Sequence, residues 1–268
     1  QEDIDTIVAW VNAGAPFGNQ EDLPPPKQFP EVGEWRLASE LGEPDHVIKS
    51  SAWDVPANGQ DLWWEPEVDS GITESRCIKA VETLPSKAAH GSTHHANSHL
   101  VVMDDDGEWV RGDRLSEFAF GKLGEKVPEG ACRKVPANSK VGWSIHYYPD
   151  GNAVPNDQVS VGIWYHDDED EFVEEESYRQ DLRSYNLSSG GDYLIPPHGK
   201  LMTQGFHSFD HPVRIDSWQP HLHLRGVAMS MEIYDPNIGR REMLSQASNW
   251  NAGWNHSHTY EDGYQPLI

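Results

Sequence analysis

Short runs of strand-forming residues recur along most of this chain, each closed by a turn signal, and no long helical run separates them. The runs are His46 to Ser50, Ser75 to Leu84, His94 to Met103, Val141 to Tyr148 and Gln158 to Tyr165, then Lys200 to Phe209, Val213 to Leu224, Val227 to Tyr234 and Arg241 to Trp250. Pro149-Asp150-Gly151-Asn152 and Asp235-Pro236-Asn237 mark turns between them. With 23 Gly and 19 Pro in 268 residues, helix interiors would be interrupted too often for a bundle. The pattern predicts a mainly β chain built as a β-sandwich. Hydrophobic residues are only 37% of the chain, but 11 Trp, 9 Tyr and 7 Phe bring enough buried area for a core.

The first segment differs. Ile4, Ile7, Val8 and Val11 recur at helical spacing, acids occupy the first turn and Gly14 can stop the run, so a short amphipathic helix is expected. The stretch 23–30, LPPPKQFP, reads as an extended proline linker. Residues Asp167 to Glu176, DDEDEFVEEE, read as a solvated loop dividing the strand region into two halves. A calcium site there is the sharper alternative, but its acids lack a regular ligand spacing.

Lys+Arg number 20 against 44 Asp+Glu, a formal charge of −24. Such a surface repels phosphate backbones and anionic lipid, so nucleic acid and membrane surfaces are disfavoured as partners. No apolar run is long enough to span a bilayer. The only cysteines are Cys77 and Cys132, too few for a Cys-only zinc site; one disulfide or two buried thiols remain open. There is no GxGxxG, P-loop, GxSxG or CxxCH, so nucleotide, acyl-transfer and haem-attachment readings have no motif.

The chain carries 14 His, and their spacing points to metal chemistry. His221 and His223 sit at i and i+2, on one face of a regular strand, and can reach one ion. His94 and His95 are adjacent and point to opposite faces, so they need a bulge, a strand end or different ring nitrogens to share a metal. His146 lies in a strand-like run, Trp143 to Tyr148. His99 shares the strand face of His95 and is a rival ligand, with a structural role favoured. Neutral imidazoles suit copper, zinc, iron and nickel.

The order of these motifs, HH, then IHYYPDG, then SWQPHLHLRGVAMSMEIY, resembles the copper type II monooxygenases, the family of peptidylglycine α-hydroxylating and dopamine β-monooxygenase. The chain is most similar to bacterial members in which a c-type cytochrome module precedes the copper core; there too a helix like IDTIVAWVNAGAPFG and a run like LPPP come first. The resemblance covers nearly the whole chain. It implies two jelly-roll-like β-sandwich domains in tandem, each with one copper. The expected division is 1–20, the last helix of a cytochrome-like module; 21–45, a proline-rich linker; 46–185, an N-terminal copper-binding sandwich; and 186–268, an incomplete C-terminal one. His94, His95 and His146 would hold the first copper, which stores and passes an electron. His221 and His223 would hold the second, where dioxygen is activated and a C–H bond of an unknown organic substrate is hydroxylated. Haem would belong only to a module outside this chain, with the cytochrome as electron donor. A periplasmic or extracellular location follows, and with it a Cys77–Cys132 disulfide.

The chain departs from the family at the Met that completes the second site, whose motif is missing after His223. Met202, Met229, Met231 and Met243 read as packing residues, and His256 and His258 as solvent-exposed loop histidines, although either set is a substitute donor. The expectation is a fragment that does not hydroxylate by itself. The alternative is a non-enzymatic copper-binding or electron-transfer module of a larger cytochrome complex; a third reading is a sandwich whose histidines hold structural zinc.

Overall fold

The computed structural model describes residues 2–26, 31–128, 131–167, 195–235, 239–251 and 256–268, and the backbone of 175–176. Residues 1–30 form one compact unit and residues 31–268 another. In the first, α1 (Glu2–Asn12) carries Glu2, Asp3 and Asp5 in its first turn, where acids complement the helix dipole. Gly14 follows at φ 86°, a conformation that ends the helix without a Cβ penalty. Ile4, Ile7, Val8 and Val11 are exposed.

The second unit is mainly β, as the run pattern predicts. Its strands are β1 (His46–Lys49), β2 (Trp53–Val55), β3 (Leu62–Trp64), β4 (Glu67–Asp69), β5 (Arg76–Leu84), β6 (Thr93–Met103), β7 (Trp109–Ala119), β8 (Glu125–Lys126), β9 (Ala131–Val135), β10 (Lys140–Tyr147), β11 (Val154–Asp157), β12 (Ser160–Tyr165) and β13 (Glu175–Glu176). Two sheets form the sandwich, one ordered β1-β12-β5-β9-β13 with β8 on β5, the other β3-β10-β6-β7 with β4 on β10.

Period-two alternation decides what each sheet buries. In β10, Val141, Trp143, Ile145 and Tyr147 face the core, which leaves His146 on the outer face. They pack with Ile78 and Val81 of β5, Leu100 of β6, Leu115 of β7 and Val161 and Ile163 of β12. A polar seam also joins the layers: the Thr83 hydroxyl lies 2.9 Å from that of Ser98 and bonds that of Ser116. The expected linker 21–45 divides: in its second part Trp35, Leu37 and Leu41 pack with Ala80 and Trp164 of the other sheet. A disulfide links Cys77 of β5 to Cys132 of β9, 55 residues apart, across neighbouring strands of that sheet. Closing a loop of that length stabilises the fold by about 4 kcal/mol in the chain-entropy account.

Beyond residue 195 the ladders are smaller. Ser217–Trp218 (β14) pairs with His258–Thr259 (β17), and Met229–Asp235 (β15) with Arg240–Ala247 (β16). The β14–β17 ladder is extended by Val213, bonded through both backbone groups to Ile268, and by Ile215 N–H donating to the Pro266 carbonyl. The core's buried hydrophobics, among the described residues, end at Tyr165. Two expected strands are corrected. Lys200 to Phe209 forms no strand: Leu201, Met202 and Phe206 stay exposed, and no ladder partner satisfies that backbone among the described residues. In Val213 to Leu224 the ladder stops at Trp218, because Pro220 has no N–H to donate and the chain leaves the sheet there. Most of the acidic run, 168–174, lies outside the described residues, and so does the calcium alternative placed on it.

Candidate metal centre

The outer face of the β3-β10-β6-β7 sheet brings His94, His95 and His146 together. One ring nitrogen from each lies within 4.8 Å of the others. Ring centroids are 5.3 Å apart for His94–His95, 5.1 Å for His94–His146 and 5.0 Å for His95–His146. Bonds of about 2 Å from imidazole nitrogens to a shared ion require a spacing of this order.

Register explains how adjacent histidines meet. His146 lies opposite His95, while Tyr147 lies opposite Thr93, so one step on β10 matches two on β6. His94 is the extra residue of this bulge. The bulge removes the strict alternation that would have sent His94 to the other face.

The surrounding residues orient the trio. The Nε2 of His146 lies 2.9 Å from an Asp61 carboxylate oxygen, so that nitrogen carries the proton and donates. In the neutral ring Nδ1 is then the lone-pair nitrogen, and it is buried without a hydrogen-bond partner among the described residues. An orphaned buried lone pair beside two further imidazoles fits a metal ion. Trp63, across the ladder from His146, stacks on its ring at 4.3 Å and meets His95 edge-on at 5.3 Å. Burial, then the neighbouring His146 and His94 rings, push His95 down to about 4, and burial followed by His146 lowers His94. His95 is therefore neutral at physiological pH, as a ligand must be.

His221 and His223 also come together, with ring centroids 5.0 Å apart. They do so from an irregular segment rather than from one strand, which corrects the expected route but not the pairing. His221 lies near enough to His95 for its charge to lower the latter's affinity for protons. Among the described residues only the trio gathers three nitrogen, sulfur or carboxylate donors. His99, the rival ligand, lies outside it: a Cβ on Gly142 would sit 2.5 Å from its Nε2, so its ring covers a site that only glycine leaves open. His258 is exposed but lies in β17 opposite Trp218 rather than in a loop, and half-buried His256 precedes it; Met202 and Met243, expected to pack, are exposed.

An ion-pair network that motif reading does not find joins Glu117 of β7 to Glu125 of β8 on the other sheet. Buried Lys122 lies 3.2 Å from Glu117 and 2.6 Å from Glu125; Arg114 lies 2.9 Å from the other oxygen of Glu117. Burial alone would raise Glu117, but Lys122 and Arg114, with a hydrogen bond from Gln219, hold it at about 2. No family model matches the chain, and no curated protein matches it.

These shifts set a pH dependence. His99 is driven down to about 4, by burial first and then by Arg111, as His95 is by its own surroundings. The unfolded chain therefore binds more protons than the folded one between about pH 6.5 and 4, and stability falls as pH drops through that window. Glu117, depressed when folded, adds a loss of the same sign between about pH 4.5 and 2. Thermal midpoints of wild type should fall more steeply from pH 7 to 5 than those of His99→Gln. Parallel curves would contradict the assignment.

Proposed function

We propose that the chain is the core of a copper-dependent monooxygenase, which hydroxylates a C–H bond of an organic substrate with dioxygen. The observation that carries the reading is the bulge-built trio of His94, His95 and His146, with an orphaned lone pair on His146. An all-imidazole donor set is one that copper accepts. The order HH, IHYYPDG, QPHLHLRG supplies the family resemblance. Copper held there would supply one-electron redox chemistry and, at the second site, dioxygen activation.

The chain's own residues have definite tasks. Asp61 accepts the Nε2 proton of His146 and fixes that ring's tautomer and direction. Trp63 covers one face of the His146 ring. Burial keeps His95 neutral and available as a donor. His221 and His223 present two further imidazoles in a segment that also reaches the outer face of the same sheet. The Cys77–Cys132 disulfide supports a periplasmic or extracellular setting, where a cytochrome can serve as electron donor.

One observation favours the second reading, a copper-binding or electron-transfer module without hydroxylase activity: the His221–His223 pair offers two donors where the trio offers three. Oxygen uptake separates the two. In the copper-loaded full-length protein, supplied with reductant and a panel of organic substrates, uptake should depend on substrate. His221→Ala/His223→Ala should abolish it while copper stays at the trio. Unchanged uptake in that variant would overturn the monooxygenase reading.

A further inference from the structure

The His221–His223 segment is not held by a strand ladder of its own. The ladder ends at Trp218 opposite His258, and Pro220 follows. Between them stands Gln219, and both ends of its side-chain amide are used. Its Nε2 donates to the Glu117 carboxylate at 3.1 Å, and its Oε1 accepts from the Ser257 hydroxyl at 3.3 Å.

Glu117 is a fixed anchor for that bond. It lies on β7 opposite Asn97, two residues before Ala119, which stands opposite His95. One of its oxygens is held by Arg114, the other by Lys122 and Gln219. The carboxylate is mostly buried, and its partners on both sides leave it little freedom to rotate. A neutral amide meeting a buried, charge-compensated carboxylate forms a charge-assisted bond, stronger than a neutral one. The bond therefore joins the face bearing the trio to the residue two positions before His221.

We propose that Glu117 and Gln219 are positioning residues: their carboxylate–amide clasp fixes the spacing between the His94/His95/His146 group and the His221/His223 pair. Ser257 completes the clasp by holding the amide oxygen, so that the NH2 end faces Glu117. Two-site chemistry needs that spacing to be constant from one turnover to the next, and the irregular segment carrying the pair cannot set it by sheet register. The inference rests on the reading of both histidine groups as metal sites, and its test includes a readout that does not.

The experiment uses the 268-residue chain, Gln219→Ala, Gln219→Glu and the exchange Glu117→Gln/Gln219→Glu. Amide hydrogen exchange is followed without metal, and the Cu(II)–Cu(II) distance distribution is followed by pulsed electron resonance after loading with two equivalents of Cu(II). Gln219→Ala should speed exchange across 217–223 roughly tenfold, with 95–103 unchanged, since losing a hydrogen bond to a charged group opens the segment locally. It should also broaden the copper–copper distribution while leaving affinity at the trio unchanged. Gln219→Glu should do more, because two carboxylates then face each other. The exchange variant should restore a carboxylate–amide pair, and with it slow exchange and a narrow distribution. If no Cu(II) pair forms in wild type, the two-site reading fails, while faster exchange in Gln219→Ala still upholds the clasp. Exchange and copper–copper distance both unchanged in Gln219→Ala would overturn the proposal. Altered exchange with an unchanged distance would overturn the positioning role and leave Gln219 a structural contact.

Discussion

Replacing His146 by Ala should lower copper affinity at the trio by a hundredfold or more. Losing a partner that merely orients a ligand costs about 10–100-fold, and His146 is itself a donor in the proposed site. Its removal also frees Asp61 and unstacks Trp63, so the two remaining imidazoles lose their shared frame. Asp61→Ala should fall within the 10–100-fold range, because it leaves all three imidazoles in place. The measurement is a copper titration against a competing chelator. Equal affinity in wild type and His146→Ala would remove His146 from the site.

Lys122→Met should destabilise the fold by about 3–5 kcal/mol, the usual cost of breaking a buried ion pair from one side. The ammonium lies within 3.2 Å of Glu117 and 2.6 Å of Glu125, and its side chain is only 2% exposed. Removing it leaves Glu117 the Arg114 guanidinium at 2.9 Å and Glu125 the more distant Arg133 at 3.7 Å. Urea unfolding of the two proteins reads the difference directly. A change below about 1 kcal/mol would show that the network is too well hydrated to act as a buried pair.

The sequence made the central strands legible because they alternate cleanly. Val141, Trp143, Ile145 and Tyr147 predict both the strand and the outward direction of His146. β7 is not legible in this way. Its run WVRGDRLSEFA mixes charges and a glycine; it is a strand through its ladder with β6, and Arg114 and Glu117 pair with each other. That adjacent His94 and His95 need a bulge, a strand end or different ring nitrogens to share an ion was readable from alternation, and register supplies the bulge. Asp61 and Trp63 were not readable, because a three-residue strand carries too little pattern to place its neighbours. The route of His221 and His223 was misread for a physical reason: Pro220 ends the ladder just before the spacing that seemed to belong to it.

Copper-edge X-ray absorption tests the central claim most directly, on the His221→Ala/His223→Ala chain loaded with one equivalent of copper, so that the second pair does not compete with the trio. The predicted result is one retained copper per chain with three imidazole nitrogens at about 2 Å. No retained copper, or copper bound by fewer than three imidazoles, would contradict it.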